Sequence, residues 1–87
     1  MDDSVTSLEG PVEKIDGKLV LRIPLDAGGR ELIDCSRGIS EVQGGFLCIT
    51  MPEWLAGMLR IEQGCRVYVD NRHGKCNIQP VNPQLLQ

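Results

Sequence analysis

The stretch Gly45–Pro80, GFLCITMPEWLAGMLRIEQGCRVYVDNRHGKCNIQP, reads as strand, proline-started helix, turn, strand, hairpin turn and strand. Phe46–Met51 is an apolar run of strand length, too short for a free-standing helix. Pro52 ends that run and suits the first helical position, where its missing N–H needs no partner. Trp54, Leu55, Met58 and Leu59 follow at helical spacing and predict one apolar face packed on the sheet. Gly64 is read as the left-handed stop beyond that face. Arg66–Asp70 alternates with period two, as do Cys76 and Ile78 after the turn Asn71-Arg72-His73-Gly74. The fold class that follows is mainly β with one short helix.

Working outward, Gly10–Ile33 can be laid on Gly38–Ile61 without a gap at an offset of 28. Seven of 24 positions coincide, and four of the seven are Gly or Pro, the residues that fix turns and breaks. Internal duplication is one reading of this match. Chance coincidence of a common strand–turn–strand pattern is the other. After the shared proline the first copy carries Asp26-Ala27-Gly28-Gly29, and adjacent glycines cost about 1 kcal/mol each inside a helix. A hairpin is therefore predicted from Lys18–Leu25 through Asp26–Gly29 into Arg30–Cys35. Met1–Glu9 is acidic and aperiodic and reads as a flexible N-terminus, and residues 81–87 read as a loose tail. Residues 10–80 then form a single domain, with an N-terminal hairpin at 10–35 and a second unit at 37–80.

The chain has 87 residues and a net charge of −3, which disfavours a general polyanion-binding surface while leaving room for a local basic face. With one Trp, one Tyr and one Phe, the core must rest on Leu, Ile and Val, and dimerisation is a natural way to complete it. No run approaches the roughly 18 apolar residues of a membrane span, and no signal segment opens the chain. A soluble cytoplasmic protein is expected, with no membrane partner. Cys35, Cys48, Cys65 and Cys76 are spaced 13, 17 and 11 apart with no C-x-x-C pair, so free thiols are expected and a zinc site is not. His73 stands alone in a polar turn. No nucleophile–His grouping and no phosphate-binding glycine loop is present, so neither an enzyme nor a cofactor is expected.

Ile39-Ser40-Glu41-Val42, Ile49-Thr50-Met51-Pro52-Glu53-Trp54-Leu55, Leu59–Gly64 and Val67–Asp70 together resemble the AbrB/SpoVT transition-state-regulator and MazE-antitoxin superfamily. The resemblance covers about residues 37–80. It implies a swapped-hairpin β-barrel in which two subunits interlock strands, with the N-terminal hairpin as an extra element or degenerate repeat. For function it implies a homodimeric DNA-binding transcriptional regulator, or an autoregulatory antitoxin-like protein with a toxin as partner. In such proteins cations near the first strand meet phosphates. This chain departs from that pattern, because Arg37 is the lone cation beside the Ile39–Gly45 segment. The candidate DNA-binding residues are thus Lys14, Lys18, Arg22, Arg30 and Arg37. Glu13, Asp16, Asp26 and Glu31 lie among them, and a solvated strand face is the plain alternative. The matching functional alternative is a small dimeric protein-interaction module that keeps the barrel without binding DNA.

Overall fold

The computed structural model describes residues 5–81. Six strands, β1 (Ser7–Ile15), β2 (Lys18–Pro24), β3 (Ser40–Gln43), β4 (Phe46–Thr50), β5 (Arg66–Asp70) and β6 (Asn77–Pro80), form one antiparallel sheet in the order β3-β4-β2-β1-β5-β6. One short helix, α1 (Glu53–Leu59), joins β4 to β5. The chain is thus three hairpins joined by two helical connections. The sheet does not close: β3 and β6 are its two ends and are not paired with each other. Among the described residues no helix is long and apolar enough to cross a membrane.

The first hairpin differs from the sequence expectation. Its turn is Asp16-Gly17, and Ser7–Glu9, expected to be flexible, begin β1 opposite Asp70–Tyr68. Residues 1–4 and 82–87 of the expected loose ends lie outside the described residues. Asp16 and Gly17 have φ of 53° and 79°, the two positive values a tight two-residue hairpin turn requires. Leu25–Ala27 and Gly29–Leu32 are short 3-10 turns, so the expected hairpin into Arg30–Cys35 does not form. The two glycines serve a compact corner instead. Gly28 takes a left-handed φ of 105°, and a Cβ on Gly29 would lie 2.9 Å from the Ile23 and Pro24 carbonyl oxygens. The corner seats Leu32 with no exposure, and the Ser36 hydroxyl donates to the Leu32 carbonyl at 2.7 Å.

The second hairpin repeats the first. Gly44 and Gly45 have φ of 57° and 84°, and they stand 28 positions after Asp16 and Gly17. The registers obey the same offset: Val12 opposes Leu21, and Ser40 opposes Ile49. Pairing between the hairpins is symmetric under it as well. Val20 opposes Thr50 and Arg22 opposes Cys48, each pair being the other displaced by 28 with its strands exchanged. Leu21 and Ile49, themselves 28 apart, face each other at the centre. An approximate twofold axis therefore passes between β2 and β4. Each copy then reaches a proline in extended conformation, Pro24 or Pro52, and turns into a helical segment.

β1 crosses from one half of the sheet to the other. Ser7–Pro11 pair with β5, whereas Val12–Ile15 pair with β2. Pairing with β2 stops beside Pro11, which has no N–H to continue that ladder. Leu21, Leu32, Leu47, Ile49, Val12, Val67 and Val69 form the centre of the core, each at most 2% exposed. β4 and β5 lie inside the sheet with both edges paired, and Leu47, Ile49, Val67 and Val69 are covered within one chain.

The helix ends earlier than expected. Arg60 takes the left-handed position at the helix end, with φ 58° and ψ 45°, and Gly64, also left-handed at φ 91°, belongs to the turn before β5. The Ile61 N–H then donates to the Ala56 carbonyl at 2.9 Å, the six-to-one bond of a Schellman ending. Ile61 and Ala56 are both buried, the apolar contact that accompanies such an ending.

Candidate interaction surfaces

The apolar face of α1 is not the one its sequence suggests. Successive residues are turned by about 100° around a helix, so Trp54 and Met58 share one side while Leu55, Ala56 and Leu59 cluster on the other. Ala56 is buried in the core, Leu59 is half-buried against it, and Leu55 is half-buried beside them on the helix. Trp54 and Met58 are 68% and 65% exposed. The four apolar residues expected to pack together are therefore divided between two sides. The signal that separates them is Ala56, a small residue that lets the helix approach the sheet.

The five cations are dispersed. Lys18 and Arg22 lie on the outer face of β2, with Leu19, Leu21 and Ile23 on its core face. Arg22 is held there: its Nε lies 3.6 Å from Glu13 Oε2, and its guanidinium stands 4.9 Å from the centre of the Phe46 ring. Lys14 is on the other face of β1, directly opposite Leu19. Lys14 and Lys18 both line a cleft of about 520 Å³ at the end of the first hairpin, with Glu53 and Glu62 on the same rim. Arg30 and Arg37 belong to the helical connection after β2, away from the strand cations in the chain. Arg30 pairs with Asp26 at 3.5 Å and Arg37 with Asp34 at 2.7 Å. Lys18 shares the cleft with Lys14 and the outer face of β2 with Arg22, and Arg30 and Arg37 line neither. The outer face of β2 and β4 is shallowly concave, about 400 Å³, and Glu41 lines it together with Lys18 and Arg22.

Titratable groups elsewhere serve the fold. Asp70 accepts from the Asn77 side-chain amide at 2.8 Å and from the Arg72 N–H at 3.1 Å. Those two bonds, the amide first, hold its carboxyl below the usual carboxylate range and close the last hairpin. Cys35 and Cys76 both pack beside the core, where the Cys35 thiol donates to the Leu32 carbonyl at 3.4 Å. Burial, and then the neighbouring Cys35 thiol, push Cys76 up to about 12, and burial raises Cys35 as well. Cys65 accepts the Glu62 N–H at 3.3 Å, and His73 sits exposed in a left-handed turn. Among the described residues no three His, Cys, Asp or Glu side chains converge as metal ligands would. Compared with known proteins, the chain matches no family model, no curated protein and no solved structure.

Proposed function

We propose that this chain is a non-enzymatic interaction module that engages a protein partner through α1. The observation that carries the reading is the exposure of Trp54 and Met58, one turn apart, on a helix whose opposite side closes the core. Large apolar side chains with no folding role on their outer side are the kind that seat in a partner's apolar groove. The cations support the same choice, because three of the five are ion-paired and the other two share a rim with carboxylates. A photo-crosslinking residue at position 54 should yield a discrete protein adduct in cells, absent when the residue stands at exposed Asp26. Adducts to nucleic acid, or none above the position-26 control, would overturn the reading.

On architecture, we infer that the two hairpins are internal copies, related as two interlocked subunits of the swapped-hairpin kind are. The shared offset of 28 in turns, registers and inter-hairpin pairing supports this. The regulator reading keeps one specific support: Lys18 and Arg22 project from one strand face, with Lys14 at the same hairpin end. It requires duplex binding near 50 mM salt whose slope with salt flattens when Lys18 and Arg22 are changed together to Ala, because phosphate contacts release roughly one counterion each. Absence of binding to random and genomic duplexes at that salt would remove it.

A further inference from the structure

We propose that the free edge of β3 pairs antiparallel with β3 of a second copy, about a twofold axis through Val42. The two ends of the sheet are treated differently. In the β5–β6 ladder the Val81 N–H donates to the Arg66 carbonyl, which fixes Tyr68–Gln79 and Asp70–Asn77 as the bonded pairs. Ile78 and Pro80 then direct their backbone outward, and Pro80 places its missing N–H on that edge. Proline at an outer edge is a standard guard against further pairing.

β3 has no such guard. Its sequence is Ser-Glu-Val-Gln, with neither Pro nor Lys. The Thr50 N–H donates to the Ile39 carbonyl at 2.8 Å, so alternation makes Glu41–Cys48 and Gln43–Phe46 the bonded pairs with β4. Ser40 and Val42 therefore turn their N–H and C=O groups away from β4, and these groups have no partner among the described residues. The Val42 side chain lies on the core face opposite Leu47, yet it is 50% exposed while Leu47 is fully covered. An uncapped ladder and an uncovered core position thus coincide on one short strand.

Charge selects both the occupant and the register. With the axis through Val42, the two Val42 residues exchange both backbone bonds and extend the core face across the junction. Glu41 then stands opposite Gln43 of the second copy, in a close-spaced pair with no like charges facing. Moving the axis to Glu41 would set two carboxylates directly opposite each other, which is unfavourable. Of these two registers, the first alone keeps the carboxylates of β3 apart. A junction of so few residues makes a weak, reversible dimer. It involves neither Trp54 nor Met58, so it stands apart from the α1 reading.

Sedimentation equilibrium on the full chain from about 10 µM to 1 mM tests it, a range that covers dissociation constants of a weak contact. A monomer–dimer equilibrium is expected. Gln43→Lys sets two opposite-charge pairs across the junction and should tighten the dimer by about two- to thirtyfold, whereas Gln43→Glu should loosen it by a similar factor. Val42→Lys should abolish it. The far-ultraviolet circular dichroism of each variant checks that the sheet is retained, and the two exposed Gln43 variants carry the test if Val42→Lys unfolds. Trp54→Ala with Met58→Ala should leave the equilibrium unchanged. A monomer throughout the range, or a dimer indifferent to the charge at position 43 or lost with Trp54 and Met58, would overturn the proposal.

Discussion

At the scale of single residues, the instructive cases are those that sit against their own preference. Arg60 ends α1 in the left-handed region, where a Cβ crowds the following carbonyl and glycine does not. Arg60→Gly should therefore stabilise the chain by about 0.5–1 kcal/mol in urea unfolding. Destabilisation would mean the arginine side chain makes a contact that outweighs the strain. Gly29→Ala should act in the other direction, because the added methyl meets two carbonyl oxygens at 2.9 Å and neither belongs to a movable side chain. A loss of more than about 1 kcal/mol is expected, as for other small-to-large changes without space. Cys76 supplies a pH dependence with a definite sign. Its thiol is pushed up to about 12 from an ordinary 9.0, so the unfolded chain gives up this proton first as pH rises. The stability it contributes is complete below about 9 and is lost as pH climbs towards 12. Urea midpoints between pH 8 and 10.5 should fall more steeply in the wild type than in Cys76→Ala.

At the scale of elements, what was legible depended on whether local pattern and tertiary role agreed. β4, the proline-started helix, β5 and β6 were readable because alternation, Pro52 and the turn near Asn71 all point the same way. β1 was not, because Gly10 and Pro11 interrupt its pattern. They are tolerated since the strand changes neighbours there, and Gly10 lies under Leu21, whose Cδ1 would be 3.4 Å from an added Cβ. The Asp16-Gly17 pair is a strong hairpin signal, and it marks the turn of the first hairpin. Gly28-Gly29 misled for the opposite reason: glycines suited to a hairpin turn were used for close backbone approach. The division of α1 was hidden too, because Trp54/Met58 and Leu55/Leu59 are both spaced at i, i+4, and only packing decides which pair faces inward. Of the candidate site, the cations were legible as residues and their dispersal was not. Trp54→Ala and Met58→Ala should each shift stability by less than about 0.5 kcal/mol, as surface changes do. Leu47→Ala, fully buried on β4, should cost about 2–5 kcal/mol. A large loss at Trp54 would return it to the core and remove the basis of the α1 reading.

At the scale of the whole molecule, the approximate twofold sets where stability should concentrate. β2 and β4 join the two hairpins, and Leu21, Ile23, Leu47 and Ile49 all lie on their shared ladder with no more than 5% exposure. Opening that ladder exposes the core on both sides of the axis at once, whereas opening β3 or β6 uncovers one edge. Local opening free energies in a protein range from near zero to the global value, and the most protected amides report the last unit to open. Native-state hydrogen exchange at low concentration should then rank Leu21, Ile23, Leu47 and Ile49 slowest, with β3 intermediate. Within β3 the ranking should alternate: Glu41 and Gln43, bonded to β4, exchange slowly, while Ser40 and Val42, turned outward, exchange fast. If the slowest amides fell in β5 and β6 instead, the centre of the fold would be the last hairpin, and the paired copies would be an accessory to it. If Ser40 and Val42 were protected as well as Glu41 in dilute solution, the edge would already be covered within one chain.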